Sequence, residues 1–382
     1  MQSLLKSSRP FMISKIPTDR VFGLDLMRAM AITMVVFSHI LSLYNPNQGI
    51  IRQLLVLFGF LGVEFFFVLS GFLIGRIIYK IVVLEDLSLR SVFSFLKRRW
   101  FRTLPNYYLV LSINIIIGFS LNYSLPKLGF YLVFLQNGFS RMSSFFRESW
   151  SLTVEEWAYV FLPFSLLIFS LLFKPKNKNK FFFLVILFLI FLCGFFKYLF
   201  YLNTPSLTLR EWSVSVKAVM IYRLDAIFIG VLCAWFNVNF EVFWKKFKFI
   251  FFVIGVLILF LMFIGMKLFN ILPETNSFIW IVIYLPMTSF AITLFMPFFS
   301  QLHTSFSIIA RPIQFLSTIS YSIYLFHYSV ILHLILLLLD RETTTIIQLH
   351  FIAILYVFVL LLVSYLCYRF FEKPLMDLRD KN

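Results

Sequence analysis

An all-α bundle of about ten transmembrane helices is the fold class this sequence predicts, and three observations predict it. The residues are 61% hydrophobic and only 13% charged, whereas a soluble domain is nearer half apolar and a quarter charged, so the chain needs lipid as a solvent. Apolar runs of about 20 residues, the length that crosses a hydrocarbon layer, recur from end to end. Basic residues collect in alternate loops between those runs. The 53 Phe residues fit the same reading, because large apolar rings face acyl chains without penalty.

Spans are predicted near 22–44, 54–79, 103–121, 154–173, 181–201, 217–236, 249–268, 278–300, 315–339 and 347–370. A shorter apolar piece, 128–137, reads as a re-entrant or interfacial segment. Residues 88–102 place Phe93, Leu96 and Trp100 at helical spacing, with Arg90, Lys97 and Arg99 on other faces. That pattern predicts a helix lying in the cytoplasmic interface ahead of the third span.

Ten spans return both termini to one side. With that side cytoplasmic, the inside loops hold Lys6, Arg9, Lys15 and Arg20, then Lys80, Arg90, Lys97, Arg98, Arg99 and Arg102. They also hold Lys174, Lys176, Lys178, Lys180, Lys245, Lys246, Lys248, Arg311, Arg369, Lys373, Arg379 and Lys381, so that most of the 34 Lys and Arg lie inside. The positive-inside rule therefore predicts cytoplasmic termini. No composition shift divides the chain, and 1–382 is expected to be one membrane-embedded domain. It would have a short cytoplasmic arm, 1–20, and no fused extracytoplasmic domain.

Several function classes are disfavoured. The net charge of +17 is spread over short loops instead of forming a basic stripe on a soluble face, which argues against nucleic-acid binding. Cys193, Cys233 and Cys367 sit inside apolar runs without CxxC or Cys/His spacing, so neither a disulfide framework nor a metal site is expected. No cleavable signal is apparent. The paired Gly/Pro-interrupted segments common in inverted-repeat transporters are not evident, although a transporter or flippase for a lipid or glycan remains the alternative class.

Charges inside spans carry the chemistry. One near the bilayer centre costs at least ~2.5 kcal/mol, so it calls for a partner or a function. In the first span, VFGLDLMRAMAITMVVFSHILSL, Asp25 and Arg28 are i, i+3 neighbours and are expected to pair. His39 follows Arg28 by eleven residues, which returns it to within roughly 20° of the same face and ~16 Å further along the axis. An imidazole there suits a general base, and a guanidinium suits an anion such as phosphate.

GVEFFFVLSGFLIG puts Glu64 and Ser70 in the second span, with Gly71 and Gly75 spaced for close helix packing. Ser70 is a possible nucleophile, although a span Ser more often bonds to backbone. WSLTVEEWAY opens the fourth span. Thr153 and Glu156 have capping-box spacing, leaving Glu155, one turn from Tyr159, as the carboxylate at a level His39 can share. YRLDAIFIG places Arg223 and Asp225 on the sixth span, and SYSIYLFHYSVILH sets Tyr324 and His327 as i, i+3 neighbours on the ninth.

Taken in order, GLDLMRAMAITMVVFSH, GVEFFFVLSGFLIG, RRWFRTLPNYY, WSLTVEEWAY, YRLDAIFIG, ISYSIYLFH and FFEKP resemble the acyltransferase-3 family of bacterial membrane O-acyltransferases. The resemblance implies that His39 is the catalytic residue, supported by Arg28 and Glu155. It implies that Arg99 and Arg102, an Arg-x-x-Arg pair, handle an acyl-CoA donor together with Arg28. Asp25, Glu64, Ser70, Tyr159, Arg223, Asp225, Tyr324 and His327 would support the site or substrate. The expected co-substrate is acetyl-CoA or another short acyl-CoA, with no permanently bound cofactor. The expected acceptor is a glycan or lipid-linked glycan, O-antigen first, in the bacterial cytoplasmic membrane.

Overall fold

A computed structural model of the chain describes residues 20–379, apart from 45–49, 126, 143, 144, 205, 304, 305, 341 and 342. Residues 1–19 of the expected N-terminal arm lie outside the described residues, and with them Lys6, Arg9 and Lys15; Lys381 does as well. The protein is 82% helical, and among the described residues ten helices are long and apolar enough to cross a membrane. They are α1 (Phe22–Ile40), α2 (Arg52–Leu84), α3 (Leu89–Ser120), α4 (Ser149–Phe173) and α5 (Lys178–Asn203), followed by α6 (Met220–Asn239), α7 (Lys248–Leu268), α8 (Ile279–Phe299), α9 (Ser307–Leu338) and α10 (Ile346–Leu378).

Burial sorts these helices into a centre and a rim. In its most apolar stretch α6 is 61% buried, while α7 and α10 are 11% buried and form the periphery. The centre is built on α2, which packs against α6 on one side and α1 on the other; α1 in turn packs on α9. Lipid supplies no hydrophobic drive between helices, so close backbone approach must do that work. The glycines provide it. A Cβ on Gly71 would lie 2.1 Å from the Ile227 carbonyl oxygen of α6, and one on Gly230 would lie 2.4 Å from the Val68 oxygen of α2. Toward α1, a Cβ on Gly62 would come within 2.6 Å of the Ala31 oxygen.

Three local expectations change. The separate interfacial helix does not exist: 88–102 and the third span are one 32-residue helix, begun by a capping box between Ser88 and Ser91. Apolar spacing at 3.6 residues is the same for an interfacial turn and for the first turns of a long helix, so the period alone could not divide them. Pro105 lies inside this helix without breaking it. The sixth span begins later than expected, because Ser213–Lys217 is a separate widened turn and α6 starts at Met220.

The ninth span begins earlier than expected and contains a widened π turn at His327–Leu332, a feature that often marks functional positions.

The 128–137 piece enters the bundle. It forms a short helix, Leu128–Leu132, and buries Gln136 and Asn137. The Asn137 amide donates to the Ala218 oxygen at 2.7 Å and the Trp150 oxygen at 3.1 Å, while Met220 N–H donates to the Asn137 oxygen at 2.9 Å. This elbow fixes the start of α6 against α4.

The glycine contacts make a direct prediction. Gly71→Ala must push α2 and α6 apart, at an expected cost of about 1–3 kcal/mol. Thermal unfolding of the purified variant in detergent should show a lowered midpoint; an unchanged midpoint would mean the interface is looser than described.

Candidate active site

The helix α1 is unbroken from Phe22 to Ile40, so Asp25, Arg28 and His39 keep the stripe the sequence implies. The partners within it differ. Asp25 forms an ion pair with Arg20, from just before the helix, and accepts a hydrogen bond from Ser317 Oγ of α9 at 2.6 Å. Arg28 Nη1 stands 4.0 Å from the same carboxylate, at the outer limit of a pair, and 3.4 Å from Ser317 Oγ. The expected Asp25–Arg28 pair is therefore secondary: Arg20 takes the carboxylate, and the Arg28 side chain also lines a cavity.

That cavity is an arginine chamber of about 100 Å³ between α1, α2, α3, α4 and α9. Arg28, Arg99 and Arg102 line it, with Ser70, Glu155 and Tyr159. The long α3 carries both Arg99 and Arg102 to this wall, and the Arg99 guanidinium lies over the Tyr159 ring at 5.5 Å. Tyr159 OH donates to Glu155 Oε2 at 3.0 Å, so the 2.6 Å contact with Ser70 has the serine hydroxyl as donor. A Ser70 whose proton is committed to a tyrosine is a wall hydroxyl rather than an activated nucleophile.

Two expectations about the fourth span fail here. Glu155 lines the chamber of the arginines and not the cavity of His39. Thr153 is no cap, because α4 begins at Ser149, one turn earlier, and Thr153 Oγ1 turns back to the Ser149 oxygen at 3.4 Å. The extra helix runs over the five residues 149–153.

His39 opens into a second cavity, of about 590 Å³, the imidazole chamber. Its ring centroid lies 5.0 Å from that of His327 and 4.5 Å from that of Tyr328. The tautomer of His327 follows from its surroundings. Nδ1 is 2.6 Å from the Tyr324 carbonyl oxygen, which can only accept, so Nδ1 carries the proton. Nε2 is then a bare lone pair, and this atom is buried without a hydrogen-bond partner. Tyr324 and Val63 line both chambers and form the partition between them. The Tyr324 hydroxyl is held by Ser151 Oγ at 2.5 Å and the Glu148 carbonyl oxygen at 3.2 Å.

Sequence reasoning missed three further residues on this wall: Arg147, Glu148 and Lys217. Arg147 and Glu148 lie in a connecting segment outside the assigned spans and Lys217 at the very start of the assigned sixth span, places where charge looks like ordinary loop composition. Glu148 Oε1 accepts from Ser329 N–H at 2.9 Å and Ser329 Oγ at 2.6 Å, while Oε2 is buried without a partner. Burial pushes its carboxyl up to about 7, against the Ser329 bonds and Arg147. Burial and then Arg223 push Lys217 down to about 8.

Several of the remaining intramembrane charges are cross-links. Glu64 of α2 pairs with Arg223 at the head of α6 and accepts from Ser289 Oγ of α8 at 3.0 Å. Arg223 also faces the Phe67 ring at 5.5 Å. Asp225 pairs with Lys197 of α5, a residue whose apolar context had concealed it. Glu372, from the FFEKP segment, accepts from Asn106 Nδ2 at 3.2 Å and Ser322 Oγ at 2.7 Å, joining α10 to α3 and α9. None of Glu64, Arg223 and Asp225 lines either chamber.

These features define a multi-pass helical membrane protein with two adjoining polar chambers, one rich in arginine and one built on paired imidazoles. The family model described as an acyltransferase domain matches residues 21–369, and the chain belongs to this acyltransferase-3 family. No curated protein and no solved structure matches the chain.

Two outcomes separate structural from site residues. Glu64→Ala should cost about 3–5 kcal/mol by stranding the Arg223 charge, while Glu64→Leu with Arg223→Met should regain most of it. Unfolding midpoints of the two variants check this, and a double variant no better than the single would place the pair's value elsewhere. For Glu148, the raised folded-state value means that its contribution to stability is fully present below the ordinary carboxyl range and is lost as pH rises through about 7. Native protein should lose roughly 3 kcal/mol relative to Glu148→Gln between pH 4.5 and 8. Parallel pH curves for the two proteins would remove this assignment.

Proposed function

We propose that this acyltransferase is an O-acyltransferase of the bacterial cytoplasmic membrane, built as a single membrane domain with cytoplasmic termini. It moves a short acyl group, acetyl first, from cytoplasmic acyl-CoA to a hydroxyl of a cell-surface glycan, with lipopolysaccharide O-antigen as the leading acceptor. The observation that carries this reading is the pair of chambers meeting at Val63 and Tyr324, with guanidinium groups on one side and His39 on the other. A donor that ends in phosphates and reacts at the far end of a flexible arm needs that arrangement.

The roles follow from the chemistry. Arg28, Arg99 and Arg102 attract the CoA phosphates, since guanidinium stays charged and forms paired hydrogen bonds to phosphate. The pantetheine arm passes Tyr324 toward His39, ~16 Å from Arg28 along α1. His39 removes the proton of the acceptor hydroxyl as its oxygen attacks the thioester carbonyl. The tetrahedral intermediate collapses, the C–S bond breaks, and the leaving thiolate takes the proton back from His39. His327, whose ring centroid lies 5.0 Å from that of His39, positions the His39 ring. Glu155, bonded to Tyr159, balances part of the arginine charge when the donor is absent.

His39→Ala should lower acyl transfer by at least roughly a hundredfold in protein that still folds and inserts. Radiolabelled acetyl-CoA consumption by the purified enzyme measures this, and retained activity would refute the catalytic role. Arg99→Ala and Arg102→Ala should each weaken acetyl-CoA binding roughly tenfold or more, with unchanged affinity counting against the donor site.

A further inference from the structure

The imidazole chamber carries a charge pattern that acyl transfer itself does not require. Arg52, Arg147 and Lys217 line it, and among the described residues none of them has a carboxylate within ion-pair distance. The chamber's one carboxyl group, Glu148, is turned to Ser329. Arg147 reaches only the Tyr328 hydroxyl, at 3.3 Å, and lies over that ring at 5.9 Å; Lys217 lies 6.0 Å from the Phe60 ring. The contrast with Lys197 and Arg223, each matched to its own acid, is direct. Cations left unmatched at a cavity wall favour an anion in that cavity.

A further cavity of about 630 Å³ shares Arg147 and Tyr328 with the first. Tyr123, Asn114 and His333 are among its lining residues, a mixture of aromatic faces and hydrogen-bonding groups. A ligand anchored at Arg147 therefore has space on both sides of it.

Resting on the acyltransferase reading above, we propose that the acceptor is an acidic glycan, its anionic group held by Arg147 and Lys217 while the neighbouring hydroxyl faces His39. The anion is a sugar carboxylate or a glycosyl phosphate. Further sugars of the acceptor extend past Tyr328 into the adjoining cavity. Arg147 and Lys217 thus select the acceptor, as Arg99 and Arg102 select the donor.

The test is acceptor binding without any acyl donor, so that it succeeds or fails independently of catalysis. Octyl β-D-glucuronide, octyl β-D-glucoside and a polyprenyl phosphoglucose are titrated against the protein in nanodiscs, with acetyl-CoA titrated separately. At least one acidic probe should bind tenfold or more tightly than the neutral glucoside, and that preference should shrink with added salt. Preference for the glucuronide assigns the anion to the sugar; preference for the phosphodiester assigns it to the lipid carrier. Arg147→Gln and Lys217→Gln should each remove the preference while leaving acetyl-CoA affinity unchanged, and Arg147→Lys should restore part of it. Should the variants not fold, the salt dependence of the native protein decides alone. Equal binding of acidic and neutral probes, no binding by either acidic probe at millimolar concentration, or loss of acetyl-CoA binding in these variants would overturn the proposal.

Discussion

A charge placed in an apolar layer must be matched, because no water is present to solvate it and an unmatched one costs several kcal/mol. In this protein that constraint separates two sets of charged residues. Glu64 with Arg223, and Asp225 with Lys197, are matched within the bundle, and they tie α2, α5, α6 and α8 together. Glu372 does the same for α3, α9 and α10 through Asn106 and Ser322. Arg28, Arg99, Arg102, Arg147 and Lys217 belong to the other set. They face cavities, and a cavity is where a ligand's charge can take the place of a protein partner.

The partition between the chambers depends on the first set. Val63 sits beside Glu64 on α2, and α2 is held to α6 by the Gly71 and Gly230 contact. Tyr324, on the other side, is bonded to Ser151 and to the Glu148 carbonyl oxygen at the start of α4. The same helix start carries the Glu148 carboxyl, so movement of the partition and the state of the imidazole chamber are mechanically linked.

Much of the fold was legible in the sequence because a membrane span is a long, redundant signal. Ten runs were readable from length and apolarity, and the packing glycines Gly71 and Gly75 from their spacing. Boundaries were not, since the period of an apolar stripe does not say where a helix stops. That limit merged into one helix what had been read as an interfacial helix and a span at 88–121, and it hid the extra turn that begins α4 at Ser149. The first error concealed that Arg99 and Arg102 ride on a spanning helix that reaches the arginine chamber; the carboxylate read at a level His39 could share, Glu155, lines that same chamber. The stripe of Asp25, Arg28 and His39 was readable because it lies on one helix. Its distant partners were not, since Ser317 and His327 come from elsewhere in the chain and only packing brings them to it. Lys197, Glu148, Arg147 and Lys217 escaped for a simpler reason, as a charge in a loop or near a span end needs no explanation until the fold turns it inward.

The two chambers also differ in the kind of charge they use. Guanidinium groups surround the arginine chamber, proposed to hold the donor, and guanidinium remains protonated throughout the physiological range. The imidazole chamber, proposed to hold the acceptor, instead combines Lys217, brought down to about 8, with Glu148, raised to about 7. Raising the pH from 6 to 9 therefore adds a negative charge at Glu148 and removes a positive one at Lys217, and both changes make the chamber less hospitable to an anion. Donor capture should thus be nearly indifferent to pH across this range while acceptor capture weakens. The asymmetry arises because lysine and carboxyl groups respond to burial by changing protonation, whereas guanidinium responds by seeking a partner.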